Sequence, residues 1–242
     1  MTNHKQTASK YTLTLSKFND YISKDFLGGP RPFKLSLIIN FQKFSTFFFV
    51  GGLMIYFQHF STAAWVYLAL HGSYGFCWIL KHLIFRDKSW EVPVTIGGGI
   101  MSFLLVLGPY WVAPYLLISG ILGSDYQHPF NELLMGVIVM HTLGIAIMMV
   151  SDAQKHFTLK NQSGLITTGM FKYIRHPNYL GEIMIYSSYA LIVGHWLPWV
   201  ILAWVWLMYF ATNIKMKEAS MSRYPEWAAY KKGTKYLIPW VF

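Results

Sequence analysis

An all-α, polytopic integral membrane protein is the fold class that this 242-residue sequence predicts, and three observations predict it. Only 12% of the residues are charged while 54% are hydrophobic, against about 25% charged in an ordinary soluble domain. Apolar runs of bilayer length recur along the chain, and the cations gather on one side of them. A soluble protein with an unusually large core is the competing reading, and these observations weigh against it. The net charge of +10 does not indicate nucleic acid, because the basic residues form neither a solvated tail nor a stripe. Cys77 is the one cysteine, which excludes internal disulfides and thiolate metal clusters; its apolar neighbours make it a small core residue.

Taken in order, residues 1–34 form a polar segment without the apolar stretch of a signal peptide and with acids that a transit peptide avoids. Residues 35–150 carry four apolar runs, 35–57, 62–84, 94–121 and 130–150, each reaching the roughly 20 residues that cross a bilayer core. Within residues 151–242, two shorter runs, 179–194 and 197–212, are separated by "HWLP" and read as a helical hairpin. About six transmembrane helices result, in a single membrane domain. From Asn213 onward a basic, aromatic tail suits a C-terminal interfacial helix anchored by Trp227, Lys231 and Lys232. "GGGI" at 97–100 lacks the strand and lysine of a phosphate loop and reads as close helix packing.

With six crossings, segments 1–34, 85–93, 151–178 and 213–242 share one face of the membrane. All 20 lysines and arginines except Lys43 lie there or in the adjoining helix ends, and the connections "QHFS", "LGSDYQHPF" and "GHWLP" hold none. The positive-inside rule then places both termini on the cytoplasmic or matrix side, with endoplasmic reticulum and mitochondrial inner membrane fitting equally. Glu91 and Lys160 are expected on that face, Asp125 and His195 on the other. Lys43, eight residues into the first run, is expected to snorkel toward the surface.

The polar chemistry concentrates in "FKYIRHPNYLGE", residues 171–182. Pro177 suits a first helical position, so a helix should start at about His176 with its free N–H groups on the basic face. Arg175 beside that terminus makes an anion site. Asn178 and Glu182, four apart, share a helix face, and an amide held with a carboxylate can read a carboxamide or ribose hydroxyls. Gly181 between them allows close approach of a ligand or another backbone. A capped helix whose Arg175 pairs with Glu182 or with lipid headgroups fits these residues equally. Asp152 follows a membrane run and needs a partner, for which Lys155 or Arg175 can serve; Gln154, Lys155 and Lys160 lie on the same side. Downstream, Lys217, Glu218, Arg223, Tyr224 and Tyr230 add to that face.

In the second run, His71, Tyr74, Trp78 and Lys81 fall within about 80° of arc and form a polar stripe. Such groups face a cavity or another helix. Tyr74 is the candidate proton or hydrogen-bond donor to a carbonyl, with Glu91 of "SWEVP" assisting; the competing reading is hydrogen bonding between His71 and His141.

"SDAQK", "GLITTGMFKYIRHPNYLGE" and "KEASMSRYPEWAAYKK" followed by "LIPW" resemble the C-terminal half of the steroid 5α-reductase-like family and its "steroid dehydrogenase" relatives, over residues 151–242. The resemblance implies a membrane-embedded fold whose C-terminal helices hold NADPH and reduce an activated C=C bond in a lipophilic, sterol-like or enoyl substrate. Asp152, Asn178 and Glu182 match cofactor-contacting positions, and Arg175 and His176 match the Arg-His-Pro form found in sterol reductases. Lys155, Tyr179, Lys217 and Tyr224 are taken as cofactor-binding with them. Two departures bear on catalysis. The Arg and His of the last helix are not evident, Asn213 and Lys217 standing near there, and the Gln-Glu and Tyr that polarise a steroid ketone have no clear match. The same motif and "YKK" also look like isoprenylcysteine carboxyl methyltransferases, which bind S-adenosylmethionine; Asp152 and Glu182 favour the reductase branch. A different class remains: an accessory subunit of a larger membrane complex, without a cofactor, whose Tyr11, Leu13, Leu15, Phe18 and Phe26 pack on a neighbouring chain.

Overall fold

The computed structural model describes residues 8–123 and 129–238. Asp125, expected on the face opposite Glu91, lies outside the described residues. The architecture among the described residues is all-α apart from a two-residue antiparallel pair. Helix α1 (Lys10–Asp20) runs into a wide π-helical turn, Tyr21–Asp25. Two long helices follow, α2 (Leu35–Tyr56) and α3 (Thr62–Phe85). Next comes a broken rod, in which α4 (Ile96–Ser102) and α5 (Val112–Ile118) are joined through a π-helical turn, Phe103–Leu107, and a 3₁₀ turn, Gly108–Trp111. Helices α6 (Asn131–Asn161) and α7 (Pro177–Val193) lie side by side. A second broken rod, α8 (Trp196–Val205) and α9 (Ala211–Met221), is joined through the π-helical turn Trp206–Phe210, and α10 (Trp227–Gly233) closes the order.

Five of these spans are long and apolar enough to cross a membrane: α2, α3, Ile96–Ile118, α6 and Trp196–Met221. The remaining expected crossing is α7, whose 17 residues rise about 26 Å, at the short end of the roughly 17–25 residues that cross a bilayer. It is the most enclosed helix, with Ile185, Tyr186, Tyr189, Ile192 and Val193 all buried. Two boundaries also differ from the hydropathy pattern. α6 continues to Asn161 and the last rod continues to Met221. Neither continuation contains Gly or Pro, so nothing in the backbone stops the helix where the apolar run stops. Asn213 therefore sits inside a continuous rod rather than opening a surface helix.

Close helix packing depends on glycine at a few points. A Cβ on Gly181 would lie 2.6 Å from the carbonyl oxygen of Gly144, and one on Gly144 would lie 2.8 Å from that of Gly181. The two backbones of α6 and α7 touch there, which answers the question of what approaches Gly181. A Cβ on Gly75 would meet the Lys43 carbonyl oxygen at 2.2 Å, so α3 is pressed onto α2 beside Lys43. Of the "GGGI" glycines, Gly97 and Gly98 pack closely against Phe26 and Lys24 of the N-terminal segment, and Gly99 packs against Ile38 of α2, the helix contact expected of the motif. Gly194 takes a left-handed conformation (φ 62°) that ends α7 and turns the chain into α8.

The N-terminal segment is held by its own chain. Asn19 donates to the Met208 carbonyl (2.7 Å), Ser102 to the Ser23 carbonyl (3.0 Å), and the Thr95 backbone N–H to the Lys24 carbonyl (2.8 Å). Phe33 and Lys34 pair with Val94 and Pro93, tying the start of α2 to the start of α4. Tyr11, Leu13 and Phe18 point outward, while Leu15 and Phe26 are half-buried on this chain.

The glycine contact carries a direct test. Gly181→Val forces side-chain atoms into the Gly144 backbone and is expected to cost about 1–3 kcal/mol through overpacking. Thermal unfolding in detergent should show a lower midpoint than wild type; an unchanged midpoint would mean the backbones are not in contact.

Candidate functional site

Two adjoining cavities meet at Asp87 and Asp152. The inner one holds about 190 Å³. Its apolar wall comes from Leu35, Ile39, Trp78, Trp90, Val106, Leu107, Val205 and Phe210, and its polar wall from Lys43, Tyr110, Asn178, Tyr179, Glu182, Tyr186, Tyr209 and Lys217. The outer one holds about 370 Å³ and is lined by Lys81, Arg86, Lys88, Lys155 and Lys160 against the carboxylates of Asp87 and Asp152. The outer chamber is thus net positive, the inner one mixed and largely aromatic.

All three π-helical turns border the inner chamber: Ser23 comes from the first, Val106 and Leu107 from the second, Tyr209 and Phe210 from the third. Widening a helix by one residue disturbs its carbonyl pairing, and here each turn is served by a side chain next to another. Ser102, preceding the second turn, donates to Ser23 O of the first at 3.0 Å. Trp204, preceding the third, donates to Leu105 O of the second at 3.1 Å. Asn19, preceding the first, donates to Met208 O of the third at 2.7 Å. The three turns latch in a ring around the cavity.

The sequence-expected residues divide. Asp152, Asn178, Tyr179, Glu182 and Lys217 line the inner chamber together, and Lys155 lines the outer one. The partner of Asp152 is Lys81, not Lys155 or Arg175. Lys217 donates to the Tyr179 hydroxyl at 3.0 Å. Asn178 and Glu182 make no hydrogen bond to any described residue, and they face the open space. Burial pushes the Asp87 carboxyl up, but Lys155 and two hydrogen bonds from Ser89 outweigh it and hold the group below the usual carboxylate range. A charged carboxylate therefore stands where the chambers join.

Arg175, His176 and Tyr224 are not at the cavity. The Arg175 guanidinium is buried, giving one hydrogen bond to Glu218 (2.7 Å) and one to the Thr234 carbonyl (2.7 Å), between the rings of Trp227 and Tyr236. His176 meets the same Glu218 oxygen at 2.9 Å, and burial lowers its pKa despite that contact. Backbone bonds between Arg175 and Lys235 and between Lys235 and Tyr173 stitch the tail to this loop. Tyr230, pushed up to about 12 by burial, donates to the Phe171 carbonyl at 2.7 Å. The Arg-His pair is a structural clamp on the C-terminal tail, and Trp227 is buried in it rather than anchoring at the membrane surface, where Lys231 and Lys232 remain exposed. Tyr224 lies over a separate groove with Pro225 and Glu226, beside Arg223.

Tyr74 and Glu91 are also displaced. Tyr74 is wholly buried behind Tyr186, the hydroxyls 3.5 Å apart, and does not line the cavity. Glu91 accepts from Lys34 at 2.9 Å, which holds its carboxyl below the usual range, and it sits at the β-pair outside both chambers. His71 and His141 do not bond each other; both meet Tyr189, His71 by stacking at 4.2 Å and His141 through its hydroxyl at 2.9 Å. Lys43 does not snorkel. It is about 12 Å along the helix axis from the start of α2, beyond reach of the surface, and is buried with its ammonium donating to Tyr186. Sequence reasoning missed Lys43, Asp87 and Tyr186 as site residues. The signals were present: an intramembrane lysine, and a tyrosine four residues beyond Glu182 on the same helix face.

Residues 95–234 match the family described as "Protein of unknown function (DUF1295)". An uncharacterised protein of the fission yeast Schizosaccharomyces pombe is similar, with 41% identity over 114 residues, covering 44% of this chain and 40% of that protein. The match thus spans less than half of that relative's length.

Two outcomes follow from the clamp and the latch. Arg175→Ala leaves the half-buried Glu218 with His176 alone and the Thr234 carbonyl without its donor, and is expected to cost about 1–3 kcal/mol. Limited proteolysis should then cut the tail near Thr234 faster than in wild type, and equal cutting rates would refute the clamp. For the latch, Asn19→Ala and Ser102→Ala should each cost about 1 kcal/mol, and the double variant should deviate from their sum by about 0.5 kcal/mol or more. Simple additivity in thermal unfolding would show three independent contacts instead of a ring.

Proposed function

The chain belongs to the DUF1295 family, and from its cavities we propose an NADPH-dependent reductase of an activated C=C bond in a lipophilic substrate. The observation that carries the reading is the pair Asn178 and Glu182. An amide and a carboxylate, one helical turn apart, line an aromatic cavity without a hydrogen-bond partner among the described residues. Both are half-buried and border the open cavity, so a ligand entering it meets an amide and a carboxylate that no protein group already occupies. The resemblance of residues 151–242 to steroid 5α-reductase-like proteins supports the same reading.

The residues fit the cofactor. Phosphate groups need cations, and five line the outer chamber; lysine acts on phosphate as a point charge. The cofactor is too large for 190 Å³, so its charged end belongs to the outer chamber and its ring end to the inner one. Lys88, Lys155, Lys160 and Arg86 would hold the phosphates, and Asn178 with Glu182 the carboxamide or ribose. Bound there, the cofactor supplies a hydride. The protein's own part is to bind, to orient, and to exclude water from the reacting carbon with Leu107, Val205, Phe210 and the two tryptophans. S-adenosylmethionine carries a sulfonium and no phosphate, and the net positive chamber disfavours it. The charge pattern of the connections supports both termini on the cytoplasmic or matrix side, where NADPH is found.

Titration of purified protein with NADPH and with S-adenosylmethionine tests the reading. NADPH should bind more weakly as salt rises. Asn178→Ala should weaken binding by about 1–3 kcal/mol, the usual cost of leaving a buried polar partner unmet. Lys155→Gln should weaken it more at low salt than at high. Arg175→Ala should affect stability without a salt-dependent change in affinity. Preference for S-adenosylmethionine, or binding of neither ligand, overturns the proposal.

A further inference from the structure

At the floor of the inner chamber, Lys43 of α2 meets Tyr186 of α7, and the reaction proposed above has not used either. The Lys43 ammonium donates to the Tyr186 hydroxyl. It lies 4.8 Å from the ring centre of Tyr74, 5.2 Å from Trp78, 5.3 Å from Tyr110 and 4.9 Å from Tyr186. No carboxylate forms an ion pair with it among the described residues. A cation in the apolar middle of a helix bundle is expensive; four aromatic faces and one hydrogen bond offset part of that cost, and its retention there marks a role. Lys43 and Trp78 also lie outside the residues that match the family, so the arrangement depends on this chain's own N-terminal helices.

Tyr186 is placed for chemistry. Asn178, Glu182 and Tyr186 follow at four-residue intervals on one face of α7, a ladder about 12 Å long from the mouth of the inner chamber to its floor. Because Lys43 occupies a lone pair of the Tyr186 oxygen, the phenolic hydrogen is free to turn into the cavity. Its other neighbours are the Tyr74 hydroxyl, at 3.5 Å, the outer limit of a hydrogen bond, and the hydroxyl of Tyr110, whose ring stacks on Tyr186 at 4.3 Å.

We propose that Tyr186, positioned by Lys43, is the proton donor of this site and receives the carbonyl oxygen of an apolar conjugated ketone. The proposal rests on the reductase reading. Apolar walls select an uncharged body, and a carboxylate substrate would have to pass Glu182. A nicotinamide bound in the chambers would supply a hydride to the β-carbon of the ketone; a C–H bond would form there and the C=C π pair would move toward oxygen. The enolate oxygen takes the Tyr186 proton, and the Lys43 ammonium is the counter-charge of the phenolate. The enol proton returns to the Tyr186 phenolate, and the α-carbon takes a proton relayed from solvent through the outer chamber, the hydroxide left behind passing to solvent, while the apolar wall keeps water from the β-carbon alone. One hydride and one proton are added, and the tyrosine is regenerated.

A conjugated trienone absorbing beyond the tryptophan band reads the carbonyl contact without turnover. Bound to wild type in detergent, its band should move to the red as the oxygen accepts a hydrogen bond. Tyr186→Phe should bind it with most of that shift lost, and Lys43→Met should reduce the shift with the ligand still bound. With NADPH present, Tyr186→Phe should lower kcat by at least about 100-fold, the usual scale of a lost acid, at unchanged NADPH affinity; Lys43→Met should lower kcat more than it alters KM. A full red shift in Tyr186→Phe, or none in wild type, overturns the proposal. A Tyr186-dependent shift in a protein that binds no NADPH overturns the reductase reading and the proton step with it, and upholds only the ketone contact.

Discussion

The cavity depends on three helices being locally too wide. A regular α-helix in each of these places would advance its side chains by a steady 100° and close the space between the rods. Widening each by one residue turns Ser23, Val106 with Leu107, and Tyr209 with Phe210 toward a common centre. Such turns give up regular carbonyl pairing, and in an apolar medium a lost partner is costly. The donors Ser102, Trp204 and Asn19 supply contacts in a closed order, each from beside the next turn. No one of the three turns is accommodated by its own helix alone. The first belongs to the N-terminal segment, which explains why a polar stretch outside the apolar runs is fastened to the bundle.

Against that frame of backbone contacts, the charges are distributed by depth. Lys81 and Asp152 form an ion pair at the wall of the outer chamber, the lysine buried and the carboxylate slightly open to the cavity. Deeper, Lys43 has aromatic faces and a hydroxyl in place of a carboxylate. Glu182 touches neither lysine directly, although its charge acts on both. Without a contact ion pair its oxygens stay open to the cavity, and polar groups held in this way cluster where proteins bind ligands or do chemistry.

Much of this was legible in the sequence, and the failures have identifiable causes. The apolar runs located every long helix because membrane burial demands about 20 apolar residues. They misjudged the ends of α6 and of the last rod because a helix stops at a cap, not at a change of polarity. Asp152, Asn178, Tyr179, Glu182 and Lys217 do share one cavity, since helix spacing fixes which residues share a face. Arg175 shows the limit of such reasoning. A guanidinium beside a helix N-terminus has the same local sequence whether it faces a ligand or a tail folded back from residue 234, and only the tertiary contact decides. The π-helical turns were not legible at all. They leave no signature in composition, because they arise from contacts between segments distant in the chain.

The arrangement brings together two kinds of reactant that do not share a solvent. A phosphate-bearing cofactor arrives from water and requires cations; an apolar substrate arrives from lipid and requires their absence. α7 resolves this by its position. Its N-terminus stands at the junction of the chambers and its body descends into the core, so one helix face passes from Asn178 in the polar region to Tyr186 among aromatic rings. The Gly144–Gly181 backbone contact fixes the depth of that face against α6, and with it the height of Asp152 relative to Glu182. The 17 residues of α7 thus carry one face from the junction of the chambers to the floor of the inner one, where the polar and the apolar reactant can meet.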